Sequence, residues 1–96
     1  MPPTTTTIAK SLALLASGEK RPTVVMALVG EGMTEAAAWR MVRTLEAQLV
    51  SGELLALAGE TPSDGAHAAR IENRRVHLIA TLSVLTGELV SLLGAP

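Results

Sequence analysis

The stretch TVVMALVGEGMTEAAAWRMVRTLEAQL, Thr23–Leu49, runs from a short apolar segment through a glycine turn into a longer amphipathic segment. Ala38, Met41, Val42, Leu45 and Leu49 recur at intervals of three and four, which places them on one stripe of a helix. Thr34 stands just ahead of that stripe as an N-cap, and Glu35 beside it complements the positive end of the helix. Gly30 or Gly32 closes the preceding segment, at whose start Pro22 suits a first helical turn. The reading is two helices joined by a tight corner. Trp39, the chain's one aromatic residue, falls off the centre of the stripe, in line with Glu35, Arg43 and Glu46. It belongs at the rim of the core or on the surface. There it either anchors a partner, stacked on Arg43, or caps one end of its own core.

On the N-terminal side, Ile8, Leu12 and Leu15 mark a first short helix ended by Ser17 and Gly18. Residues 1–6 form a polar lead, expected to be mobile, whose threonines offer several N-caps. On the C-terminal side, GELLALAG after Val50 and Ser51 reads either as an extension of the third helix or as a short strand, and a small hairpin between Gly52 and Val76 is the open alternative. Pro62, Ser63, Asp64 and Gly65 signal a turn. A final helix is expected over 70–93, with Leu78, Leu82, Leu85, Leu89 and Leu92 on one broad face, Leu93 beside them, and Ile79 and Val90 at its edge. Ala80, Ser83, Gly87 and Ser91 form a ridge of small residues on the other side, where a second helix backbone can approach. This pattern reads as an oligomer seam, or else as a helix crossing the middle of its own domain.

The expected fold class is mainly α: one domain over 1–96, with a helical part at 8–50 built around a helix-turn-helix-like corner and a long apolar C-terminal association helix. Charged residues make up 18% of the chain, below the roughly 25% usual in soluble domains, while the apolar share of 48% is ordinary. A small domain so short of charge is expected to cover part of its surface with a second copy or a partner, and self-association as a dimer or larger homo-oligomer is the first expectation. Eight Lys plus Arg against nine Asp plus Glu give a net charge of -1, so no global field draws the chain to a polyanion. Val76–Pro96 approaches the length of a bilayer span, but Glu88, His77 and several Ser, Thr and Gly residues argue against insertion. The N-terminus has no basic region before an apolar segment, and a cytoplasmic location is the expectation.

The corner TVVMALVGEGMTEAAAWRMV resembles the helix-turn-helix of small winged-helix DNA-binding proteins, with Gly32 and Met33 in the turn, Thr34 opening the second helix, and Ala38 and Met41 facing inward. The likeness covers about residues 23–49. It implies that the Thr34 helix enters the major groove of double-stranded DNA, that residues 52–76 supply a two-stranded wing, and that the last helix dimerises. Trp39, Arg40 and Arg43 then face the duplex, and Arg70, Arg74 and Arg75 form the cluster available to phosphates. The cluster also has a plainer reading as a solvated patch in which Glu72 pairs with Arg75.

Catalytic constellations are not found. No serine sits in a nucleophile elbow, no glycine-rich loop leads into a Lys-Ser or Lys-Thr pair, and there is no cysteine. The two histidines, His67 and His77, have no companions at metal-ligand spacing, so neither a metal nor a cofactor is expected, nor a small-molecule substrate. The sequence therefore supports a non-enzymatic, self-associating domain, either binding DNA through the corner or serving as a helical assembly or adaptor protein with protein ligands alone. The two readings differ in whether Arg40, Arg43, Arg70, Arg74 and Arg75 converge on one face.

Overall fold

A computed structural model describes residues 4–94. It contains four helices: α1 (Thr5–Ala16), α2 (Arg21–Gly30), α3 (Glu35–Ala58) and α4 (Gly65–Gly94). The Met1–Pro3 part of the expected mobile lead lies outside the described residues. Thr4 caps α1, its hydroxyl accepting from the Thr7 N–H at 3.1 Å, so helix begins within the threonine run rather than after it.

α1 and α2 end in the same way. In each, the glycine after the C-cap, Gly18 or Gly32, takes a positive φ (90° and 102°) and the chain reverses around it. The N–H groups of Gly18 and Glu19 donate to the carbonyls of Leu15 and Leu14, and those of Gly32 and Met33 donate to Val29 and Leu28. This pair of hydrogen bonds satisfies the last carbonyls of a helix and requires a residue tolerant of left-handed backbone. Thr34 then caps α3 through an Ala37 N–H bond of 3.2 Å, as its position in the sequence predicts. The corner packs Val24, Val25 and Leu28 of α2 against Ala38 and Val42 of α3, all five buried. Leu14, Leu15, Met33, Trp39 and Met41 lie around them, partly exposed.

Residues 52–76 correct the expected wing: no strand occurs among the described residues. α3 continues through Gly52 to Ala58, because Ala47, Val50, Leu54 and Leu57 keep the helical spacing and all four join one apolar cluster with α4. One glycine costs a helix interior about 1 kcal/mol, and burial along a whole face outweighs it. α4 likewise starts at Gly65 rather than near Arg70, since the Asp64 carboxylate accepts from the His67 N–H at 2.7 Å and so caps it.

α3 is the spine of the molecule. α1 and α2 pack on it and on each other, whereas α4 packs on α3 alone. Arg74 reaches Glu53 and Arg43 reaches Glu88, so α3 and α4 run antiparallel. The result is elongated, 50 × 29 × 19 Å, with a radius of gyration of 15.7 Å against the about 12.5 Å of a compact chain of this length.

Candidate interaction surfaces

Two surfaces carry the side chains singled out by the sequence: the Trp39 junction, where α3 meets the far end of α4, and the outward side of α4 itself. At the junction the indole stands at the rim of the core, half-buried, with the Arg43 guanidinium carbon 5.3 Å from its ring centroid. Four charged residues from three helices form a chain beside it. The Arg21 Nε of α2 donates to both carboxylate oxygens of Glu46 at 2.7 and 2.9 Å, Arg43 Nη1 approaches Glu46 at 3.5 Å, and Arg43 Nε pairs with Glu88 of α4. Arg43 is mostly buried, its side chain 15% exposed. Its Nε and Nη1 have carboxylates beside them in the two ion pairs but no partner in hydrogen-bond geometry, so Coulomb attraction is the main interaction there. Trp39, Arg43, Glu88, Ser91 and Leu92 line an open cleft of about 360 Å³. Its one carboxylate is the Glu88 already matched to Arg43.

The six residues expected to face DNA are thus distributed as follows. Trp39 and Arg43 are engaged in the junction. Arg74 Nη2 donates to Glu53 at 2.6 Å, and Arg75 pairs with Glu72 through bonds of 2.5 and 2.8 Å. The Arg75 bond holds the Glu72 carboxyl below its ordinary range, and Glu72 in turn raises Arg75. Arg40 and Arg70 make no ion pair among the described residues. Arg40 lies thirteen residues up α3 from Glu53, about 20 Å from the level at which Arg74 docks. The five arginines sit at two separate levels of the α3–α4 hairpin.

The leucine face of α4 is occupied within the chain. Leu78 and Leu85 are buried with Val50 of α3, Leu82 is partly buried against the same cluster, and Leu89 and Leu92 are half-covered. Ser83 and Gly87 are exposed on the opposite side. Around them stand apolar side chains of unusual exposure: Val76 (54%), Ile79 (42%), Val84 (61%), Val90 (65%) and Leu93 (71%). Between Val76 and Gly94 the one Asp, Glu, Lys or Arg is Glu88, and it is turned toward α3. α4 is also long and apolar enough to cross a membrane by length and composition, with a mean hydropathy of 1.8 over eighteen residues, of which 11% are buried. Sequence reasoning placed Ile79 and Val90 at the edge of the leucine face. The signal for their outward position lies in Val76, seven residues from Ser83 and on the same side of the helix.

The turn between α3 and α4 holds one polar cluster. His67 Nδ1 lies 2.9 Å from the Ser63 N–H and accepts from it, and His67 Nε2 lies 3.0 Å from Glu60. Among the described residues, no group of three His, Cys, Asp or Glu side chains could hold a metal ion. Comparison with protein-family models, curated proteins and solved structures finds no match for this chain.

Proposed function

We propose that this chain is a non-enzymatic helical module that works by self-association, with the outward face of α4 as its contact surface and proteins, beginning with a second copy, as its ligands. One observation carries the reading: a thirty-residue helix rests on a single neighbour and turns a charge-free, apolar face to solvent over its last five turns. Contiguous apolar exposure of this kind marks interaction sites in soluble proteins. The total surface supports it. At 6214 Å², the chain exposes roughly 1,000 Å² more than the about 5,200 Å² usual for a folded monomer of 10.0 kDa. Light scattering across a concentration series tests the reading: a mass of at least twice 10.0 kDa is expected, falling to the monomer when Ile79→Glu and Val90→Glu are combined. An unchanged mass in that double variant would sink it.

DNA binding through the helix-turn-helix is the second reading, favoured by the α2–α3 corner itself, with an exposed first turn at Glu35 and Ala36 and an unpaired Arg40 behind it. It is tested by titrating generic duplex DNA at low and then high salt while following Trp39 fluorescence. Binding that weakens steeply with salt and is lost in Arg40→Ala supports it, and no binding at low salt removes it.

A further inference from the structure

We infer that the outward face of α4 docks on the same face of a second copy, with the two helices antiparallel and centred on Ser83. The inference rests on the self-association proposed above and adds its orientation and register. Val76, Ile79, Ser83, Gly87 and Val90 follow one another at intervals of three and four and so share one stripe, opposite the leucines that contact α3. All five are exposed.

The order of side-chain sizes along the stripe fixes the orientation. Reversing it about Ser83 sets Val76 against the partner subunit's Val90 and Ile79 against the partner subunit's Gly87, so the largest side chain meets the position that has none. Two serines meet at the centre, small enough for the backbones to approach. A parallel pair in register stacks Ile79 on its own copy and Gly87 on its own copy, crowding one layer and leaving a void in another, which close-packed interfaces avoid.

Three further features agree. A Cβ placed on Gly87 would meet nothing within 4 Å, as is also true of Gly52 in α3, so the surface at Gly87 is open to the close approach of a second helix. The whole chain exposes roughly 1,000 Å² more than a compact monomer of its mass, part of it owed to the elongated shape, and the about 800 Å² that each partner buries in a standard interface lies within that surplus. The last turn of α4 carries no basic residue to balance its terminal carbonyls. Antiparallel pairing sets the positive end of one α4 dipole beside the negative end of the other, whereas parallel pairing sets like ends side by side.

The chain has no cysteine, so single substitutions report the geometry directly. Under mild oxidation Ser83→Cys is expected to yield a disulfide-linked dimer, because residues on the two-fold axis come within bonding distance of their own copies. Val76→Cys alone is expected to remain unlinked, and a mixture of Val76→Cys with Val90→Cys to form the mixed disulfide. Gly87→Leu should weaken association at least about tenfold with the helical circular dichroism retained. Self-linking of Val76→Cys, or no link through Ser83→Cys in a chain whose mass is dimeric, overturns the orientation while leaving self-association standing. A monomeric mass for the unmodified chain overturns both. So does a monomer that floats with phosphatidylcholine vesicles, which would make lipid the occupant of this face.

Discussion

The α1–α2–α3 corner and the α3–α4 hairpin are built from the same aliphatic residues, yet they use them in opposite ways. In the corner, three helices close around Val24, Val25, Leu28, Ala38 and Val42, and these stripes find their partners inside the chain, with Met26 left exposed. In the hairpin, α4 spends its leucines on α3 and keeps a second apolar side with no partner among the described residues. The difference lies in topology. α3 is flanked by three helices and α4 by one, so equal apolar content yields a closed core at one end and an open face at the other. Apolar composition alone therefore says little about burial, and the number of neighbours per helix decides it.

The largest effect that would break this contrast is expected in the corner. Leu28→Ala empties a fully buried site and should cost about 2–5 kcal/mol, lowering the thermal midpoint by about 10–30 °C, read by circular dichroism. Next, two adjacent residues of α4 sharpen the comparison. Leu85→Ala, at 1% exposure, should cost about 2–4 kcal/mol, whereas Val84→Ser, at 61%, should stay within about 0.5 kcal/mol in the monomer. Equal losses at the two sites would mean that α4 is buried on both sides.

Arg43→Ala comes third. It strips Glu88 and part of Glu46 of their partner and should cost about 1–3 kcal/mol, with the Trp39 emission shifting to the red as its covering guanidinium is removed. The smallest effect belongs to Glu72→Gln. The carboxyl of Glu72 is held below its usual range in the folded chain, so its pair with Arg75 contributes above the ordinary carboxylate pKa and is lost as pH falls through the lowered value. Both partners are solvated, and the melting curve of the variant should overlay that of the parent at neutral pH and below.

Much of the corner was legible because its signals are local. Thr34 as a cap, the glycine closing α2 and Trp39 aligned with Arg43 and Glu46, like the Glu72–Arg75 pair in α4, all follow from successive steps of three or four residues. What the sequence withheld is what each face meets. The period of the leucines specifies a stripe and is silent on whether α3 or a second copy covers it. Arg43 and Glu88 are forty-five positions apart, so no window links them. The segment after Gly52 was ambiguous for the same reason: its helical spacing is short, and contact with α4 settles the choice that propensity leaves open.

The pairing of Arg43 with Glu88 has a consequence for how the hairpin finds its alignment. Leu78, Leu85 and Leu92 repeat every seven residues, so sliding α4 by two turns along α3 would lay leucine where leucine had been. Hydrophobic contact hardly distinguishes the two placements. The ion pairs do, since a slip of seven residues sets Thr81 opposite Arg43 in one direction and opposite Glu53 in the other. A chain with Arg43→Gln and Glu53→Gln together is expected to populate more than one alignment, visible as doubled amide resonances in α4, and a single set of peaks would refute this. Two modest ion pairs then act as index marks on a ruler whose other graduations are alike, and they confer uniqueness on a zipper that its leucines alone would leave free to slide.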